Sequence, residues 1–298
     1  MLNRFDQIKN RVKSANRRKR VMIWDADDSG WLRVLRKYQD DGLAEVTLLG
    51  NKNKIMKSAG DAGVELDDFE LRNTSSIEDS IAHIKEALAD KRLDILVRGT
   101  VGIKDSLKAL FARDTGFRVG KTVVSALSCH YVEDIERMLI VTDPVVIPAP
   151  DLVRKIAIIG NAVSFAGHLE DEQPKVALLA AVEAVYPVMP HTLEAAAIAK
   201  MNDRGQIKGC LVDGPLSMDC AVIESAARSK GVKGDVGGKA NILVAPNIET
   251  AYGMYKAFSL FVGAPTGIVV VGGIIPVCMA SRSDSEETKE NSLLLAMS

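Results

Sequence analysis

Short apolar runs alternate with amphipathic helical patterns along almost the whole chain, and this rhythm restricts the fold more than any other feature. Residues 20–25, 46–49, 94–97, 122–128 and 138–141 read as strands, rich in Val, Ile and Leu and bounded by turn residues. Between them, residues 29–39, 52–62, 76–89 and 105–112 carry helical periodicity, and Ser76 with Asp79 has capping-box spacing. The second half repeats the pattern. Strands are expected at 175–181, 207–212, 241–245, 267–271 and 274–280, and helices at 152–169, 192–201, from Asp219 to 229, and from Asn247 to 261. Strands this apolar are covered on both faces, so the pattern predicts an α/β chain built on an open, largely parallel or mixed sheet.

Residues 142–150 interrupt the rhythm. Pro144, Pro148 and Pro150 bar a helix there, and we read the segment as a crossing between two domains. A length of 298 residues allows two medium domains, and 47% hydrophobic with 26% charged residues is the profile of a soluble protein with a full core. A net charge of −1 and a pI near 6.5 argue against nucleic acid or an anionic membrane as partner. The basic run Arg17-Arg18-Lys19-Arg20 ends a helical stretch at 3–18 and reads as a solvated helix end. No run is long enough to span a bilayer, and the N-terminus lacks the apolar core of a signal peptide. The four cysteines form no C-x-x-C pair and the four histidines no metal-binding pattern, so reduced cysteines, a cytoplasmic setting and no metal are expected.

Ligands of open α/β sheets bind beyond the C-terminal ends of strands. The loops expected there are Arg98-Gly99-Thr100, Ser128-Cys129-His130, Asp213-Gly214-Pro215, Pro246-Asn247 and Ser281-Arg282. Ser283 and Glu286 fit a capping box, which places Ser281 and Arg282 where a strand hands over to a helix N-terminus. Free N–H groups and a forked guanidinium there suit phosphate or carboxylate. Gly234-Asp235-Val236-Gly237-Gly238-Lys239 lacks P-loop spacing. Neither a Rossmann glycine fingerprint nor a serine-hydrolase elbow is present.

Several motifs, in order, resemble the phosphate acetyltransferase/phosphate butyryltransferase family, closer to the butyryltransferase branch. Residues 213–219, Asp-Gly-Pro-Leu-Ser-Met-Asp, are similar to its D-G-P-L-x-x-D. Residues 238–249 are similar to G-x-A-[DN]-I-L-x-x-P-[DN]-I-E, residues 281–285 to S-R-x-D-S, and Pro174-Lys175-Val176-Ala177 to the start of the family's second domain. The resemblance covers about residues 94–298. It implies two open α/β domains flanking a cleft, like isocitrate and isopropylmalate dehydrogenases. The last helix would return to the first domain, giving domains of 1–144 plus 285–298 and 145–284. It also implies a homodimer or higher homo-oligomer. The implied reaction moves a short-chain acyl group between coenzyme A and phosphate, with coenzyme A as substrate and no cofactor.

By the same resemblance, Ser281 would stabilise the thiolate, Arg282 would hold the phosphoryl or acyl group, and Asp284 is the candidate base or else a helix cap. Arg98, Arg118, Ser128, His130, Asp219, Lys239, Asn241 and Asn247 are the implied substrate-binding residues. The chain also departs from the family pattern. Thr288 stands where the acetyltransferase branch has its acid, Ile103 replaces a threonine, Thr250-Ala251-Tyr252 replaces A-G-N, and Cys129 separates Ser128 from His130. Two other readings are a metal-dependent decarboxylating dehydrogenase, for which no convincing Asp, Tyr and Lys set exists, and a binding or regulatory protein that kept the cleft without turnover.

Overall fold

A computed structural model of the chain describes residues 5–15, 17–118, 120–169 and 172–298. These fall into two compact units, one of Phe5–Thr122 with Gly267–Ser298 and one of Val123–Thr266. The first unit opens with α1 (Phe5–Ala15); residues 3, 4 and 16 of the expected helix lie outside the described residues. Then β1 (Lys19–Trp24), α2 (Ser29–Asp40), β2 (Ala44–Gly50), α3 (Lys52–Ala62), β3 (Glu70–Asn73), α4 (Ile77–Ala89), β4 (Ile95–Arg98) and α5 (Ile103–Leu110) follow. β1 pairs in parallel with both β2 and β4, and β2 with β3. In α2, Trp31, Leu32, Leu35 and Tyr38 recur at helical spacing and are buried. Full burial of such a side chain contributes about 1.5–3 kcal/mol. Asp28 starts that helix by accepting the Trp31 N–H at 2.8 Å.

The second unit contains β5 (Ser125–Val132), β6 (Arg137–Thr142), α6 (Leu152–Leu169), β7 (Lys175–Leu179), α7 (Pro190–Asp203), β8 (Leu211–Leu216), α8 (Met218–Val222), α9 (Glu224–Ser229), β9 (Ile242–Val244) and α10 (Ile248–Ala257). Its strand order is β5-β6-β9-β7-β8, with β5 and β6 antiparallel and the rest parallel. The chain then returns to the first unit as β10 (Thr266–Val271), β11 (Val277–Cys278) and α11 (Glu286–Met297). β11 joins β4 in parallel and β10 antiparallel, extending the order to β3-β2-β1-β4-β11-β10. No helix among the described residues is long and apolar enough to cross a membrane.

Helix α11 is buried nearly all round, so its polar groups need partners. The Ser292 hydroxyl donates to the Thr288 carbonyl at 2.6 Å and accepts the Ile268 N–H at 2.9 Å. Lys289, 4% exposed, reaches both carboxylate oxygens of Asp28 at 2.8 and 3.0 Å. Glu290 takes Lys9 at 2.6 Å, Lys37 at 3.0 Å and the Tyr38 hydroxyl at 3.2 Å.

The structure moves several expected boundaries. The units divide at residues 122/123 and 266/267 rather than at 144/145 and 284/285. The proline-rich segment lies inside the second unit, because β6 pairs residue for residue with β9, Ile140 to Ile242 through Thr142 to Val244. The carboxylate of Asp143 then folds this segment over, accepting the N–H groups of Val145, Val146 and Ile147 at 2.9–3.1 Å. Ser128, Cys129 and His130 sit within β5, not in a loop, since the strand is buried continuously from Ser125 to Tyr131 and pairs with β6 through all three residues. Asp213-Gly214-Pro215 lies within β8, which starts later than expected because Asn202 gathers the turn at Ile207 and Cys210. Only Val277 and Cys278 of the 274–280 run pair as a strand, and α11 is capped by Ser285, not Ser283.

Candidate active site

In the first unit, connections from β1 run outward through β2 to β3, and the next strand, β4, is laid on the other side of β1. The order therefore reverses between β1 and β4, and ligand crevices of open α/β sheets lie at such points. A pocket of about 510 Å³ is found there. It is lined by Asp25 and Asp27 after β1, Asn51 and Lys54 after β2, Thr74 to Ile77 after β3, Thr100 after β4, and Arg282. Ser76 caps α4 by accepting the Asp79 N–H at 3.1 Å, and the Asp79 carboxylate accepts the Ser75 N–H, one residue before the cap, at 3.1 Å, in place of the Ser76 N–H of a regular capping box.

Arg98 and Arg282 do different jobs. Arg98 is 4% exposed, and its two terminal nitrogens donate to the carbonyls of Val101 and Ala280 at 2.9 and 2.8 Å. It binds the loop after β4 to the loop after β11, so its part is to position them. Arg282 is exposed and donates to the Thr100 carbonyl. One donor fixes the guanidinium, and the same residue lines the pocket. Ser281 and Asp284 form a tight turn. The Ser281 N–H donates to Asp284 Oδ2 at 2.6 Å, and the Asp284 N–H donates to the Ser281 carbonyl at 3.1 Å. The expected helix-cap role of Asp284 is taken by Ser285, which accepts the Thr288 N–H at 3.1 Å. Arg118 lies in the same unit, exposed, and donates to the Thr122 carbonyl at 2.9 Å.

The remaining expected site residues lie in the second unit. Ser128 and His130 are both fully buried. The imidazole bridges the Ser128 and Thr266 hydroxyls at 2.9 Å each and stacks on Phe258 at 4.8 Å, so neither side chain offers a surface to a substrate. Burial pushes the His130 pKa down to about 3. The folded state thus holds fewer protons here than the unfolded chain between about pH 3 and the ordinary value of 6.5. Stability is expected to fall as pH drops through that window, by up to about 1.4 kcal/mol per pH unit for one proton. A His130→Gln variant, compared with wild type by denaturant unfolding at pH 7 and pH 4, should show the shallower loss.

Asn241 splices β9 to β7 by accepting the Lys175 N–H at 2.8 Å. Asn247 caps α10 through the Thr250 N–H at 2.9 Å. Lys239 is exposed on a loop whose Gly238 has φ +77°, where a Cβ would meet Glu224 Cα at 2.4 Å. Asp219 is exposed, and the Ser217 hydroxyl stands 2.6 Å from its carboxylate and also contacts Glu183. Lys230 completes the group, 3.1 Å from Asp219 and 3.3 Å from Glu183. The Ser217 hydroxyl first, then Lys230, hold Asp219 and Glu183 each down to about 2. Glu183, Asp219 and Cys220 are close enough to share a cation, but the Lys230 ammonium already supplies the positive charge there. A second pocket of about 530 Å³ lies past the ends of β7 and β9, where this unit's strand order also reverses. Leu179, Met189, Met218, Pro246 and Met254 make it chiefly apolar.

The structure thus brings Arg98, Ser281, Arg282 and Asp284 together in one unit. Sequence reading missed Asp25, Asp27 and Lys54. The available signal was the acidic run Asp25-Ala26-Asp27-Asp28 directly after the first strand.

Residues 75–297 match the family described as Phosphate acetyl/butaryl transferase. The chain is 39% identical to a phosphate butyryltransferase of Clostridium acetobutylicum, over 99% of this chain and 98% of that protein. It is 42% identical to a phosphate acetyltransferase of Thermotoga maritima over 71% of each chain. A solved branched-chain phosphotransacylase from Enterococcus faecalis superposes with a TM-score of 0.81 at 26% identity, covering 94% of this chain and 98% of that one. With the family's motifs placed on a structure of this architecture and the match running the length of the chain, the protein belongs to the phosphate acetyl- and butyryltransferase family.

Proposed function

We propose that the protein catalyses reversible transfer of a short-chain acyl group between coenzyme A and inorganic phosphate. The observation that carries this reading is the full-length similarity to a phosphate butyryltransferase. The switch-point pocket bearing Arg282 supports it. In the direction of thioester synthesis, the coenzyme A sulfur attacks the carbonyl carbon of an acyl phosphate. The C–S bond forms, the C–O bond to phosphate breaks, and the thiol proton leaves with the phosphate. A thiol of pKa about 8.5 is mostly protonated at neutral pH, so a proton acceptor helps. Phosphate is anionic throughout, which suits a guanidinium held by one carbonyl.

In this reading Ser281 and Arg282 act at the reacting groups, with Ser281 stabilising the thiolate and Arg282 holding the phosphoryl group. Asp284 is the clasp of their turn. The second unit's loops carrying Asp219 and Lys239 contribute to coenzyme A, and Arg118 to the substrate anion. The reading carries with it a dehydrogenase-like α/β fold, no cofactor beyond coenzyme A as substrate, a cytoplasmic setting and a homo-oligomeric assembly. Following thiol release from butyryl-CoA and acetyl-CoA on addition of phosphate tests it. No phosphate-dependent release with any short-chain acyl-CoA would leave a binding or regulatory role instead.

The clasp makes a separate prediction. In Asp284→Asn the amide oxygen still accepts the Ser281 N–H. This variant is expected to keep its melting temperature and kcat within about threefold. Asp284→Ala loses the bond, about 1 kcal/mol of local stability, and with it the set of Ser281 and Arg282. Steady-state kinetics of the pair decide the matter. An asparagine variant as impaired as the alanine one would make the carboxylate charge essential.

A further inference from the structure

Resting on the acyl-transfer reading, we infer that Asp25 is the proton acceptor for the coenzyme A thiol. Asp25 follows the last residue of β1, at the strand-order reversal, and lines the pocket that Arg282 also lines. Its backbone is left-handed, φ 55°, an uncommon conformation for a residue with a side chain. Hydrogen bonds to the ends of two neighbouring strands, β2 and β4, hold it there. The Thr100 N–H donates to the Asp25 carbonyl at 2.9 Å, the Ala26 N–H to Leu49, and the Gly99 N–H to Trp24. Two glycines make the fit possible. A Cβ at Gly99 would stand 2.1 Å from the Asp25 carbonyl oxygen, and one at Gly50 3.1 Å from the Asp25 Cα. A conformation fixed by so many neighbours directs one side chain, and such strain gathers at functional sites.

The chemistry of that side chain fits the task. Asp25 is half-buried, and among the described residues no hydrogen bond or ion pair reaches its carboxylate. The other carboxylates near Arg282 are engaged, Asp27 by the Thr100 hydroxyl and Asp284 by the Ser281 N–H. The charged groups facing Asp25 are Asp27 on its own turn, Lys54 on α3 and Arg282. Burial first, then the Asp27 charge, raise the Asp25 pKa, while Lys54 and Arg282 oppose the rise. A carboxylate so placed is a stronger base than a solvated one. In the step assigned to it, the S–H bond breaks and the proton passes to an Asp25 oxygen. The sulfur pair forms the C–S bond, the C–O pair leaves with phosphate, and the phosphate takes the proton from Asp25. Atoms and charge balance with no further reactant.

Asp25→Asn tests this, because asparagine also tolerates the left-handed region but accepts no proton. Wild type is assayed first for thioester formation from acyl phosphate and coenzyme A. An inactive wild type overturns the acyl-transfer reading and this inference with it. With wild type active, the variant is expected to lose about 100- to 10,000-fold in kcat, with KM for acyl phosphate changed by less than about threefold. Its pH profile should lose the acid limb, where Asp25 protonates in wild type, and rise toward the thiol pKa of about 8.5. A variant that keeps its kcat, or loses it with the acid limb intact, overturns the inference alone. If the asparagine variant does not fold, Asp25→Gly replaces it. Restoration of its turnover by added formate supports the inference, and turnover that formate leaves unchanged overturns it.

Discussion

Arg282→Ala is expected to lower kcat/KM for phosphate by about 30- to 1,000-fold, the loss of roughly 2–4 kcal/mol of transition-state stabilisation typical of one oxyanion donor. The side chain is anchored by the Thr100 carbonyl and lines the switch-point pocket. It is exposed and makes no ion pair among the described residues, so its removal should leave the melting temperature near wild type. Arg282→Lys separates charge from geometry. Lysine keeps the charge but cannot hold Thr100 and present a planar fork together, so it should fall between wild type and alanine. Initial rates at varied phosphate for the three proteins are the measurement. An alanine variant with wild-type kcat/KM would remove Arg282 from the mechanism.

The largest expected effect on stability is at Lys289. Its side chain and that of Asp28 are 6% and 9% exposed, and the ammonium lies 2.8 Å from the carboxylate. Removing one member of a buried pair strands the other, at about 3–5 kcal/mol. Lys289→Ala should therefore lower the denaturant midpoint sharply. The loss falls on α11, whose other charged anchors, Arg33 to Glu286 and Lys9 and Lys37 to Glu290, are more exposed and contribute less. Because β11 and the Ser281–Arg282 turn lead directly into α11, activity should be lost at a lower denaturant concentration than in wild type. The double variant Asp28→Asn, Lys289→Met removes both charges, keeps a cap for α2 and most of the buried stem, and should recover much of the loss. A double variant no better than Lys289→Ala would show that the stem contacts, not the charge, hold the helix.

The sequence by itself determined the α/β class, because apolar runs bounded by turn residues can only be strands covered on both faces. It determined most helix starts as well, since Asp28, Asn51, Ser76 and Asn247 act through partners three residues away. The family motifs were legible for the same reason, being contiguous. Tertiary structure decided everything that depends on pairing at a distance. Registration of β6 against β9 put the proline segment inside a unit, where composition alone suggested a boundary. Packing on both faces drew Ser128 and His130 into the core, where two hydroxyls and Phe258 satisfy them, although small polar residues look like a loop when read in order. The placement of β4 beside β1 had the greatest consequence. It set residues 25, 100 and 282 around one pocket, and no spacing along the chain encodes that meeting. Local patterns record backbone geometry and caps, whereas which strand ends converge depends on the order in which hydrogen-bonded neighbours are laid down.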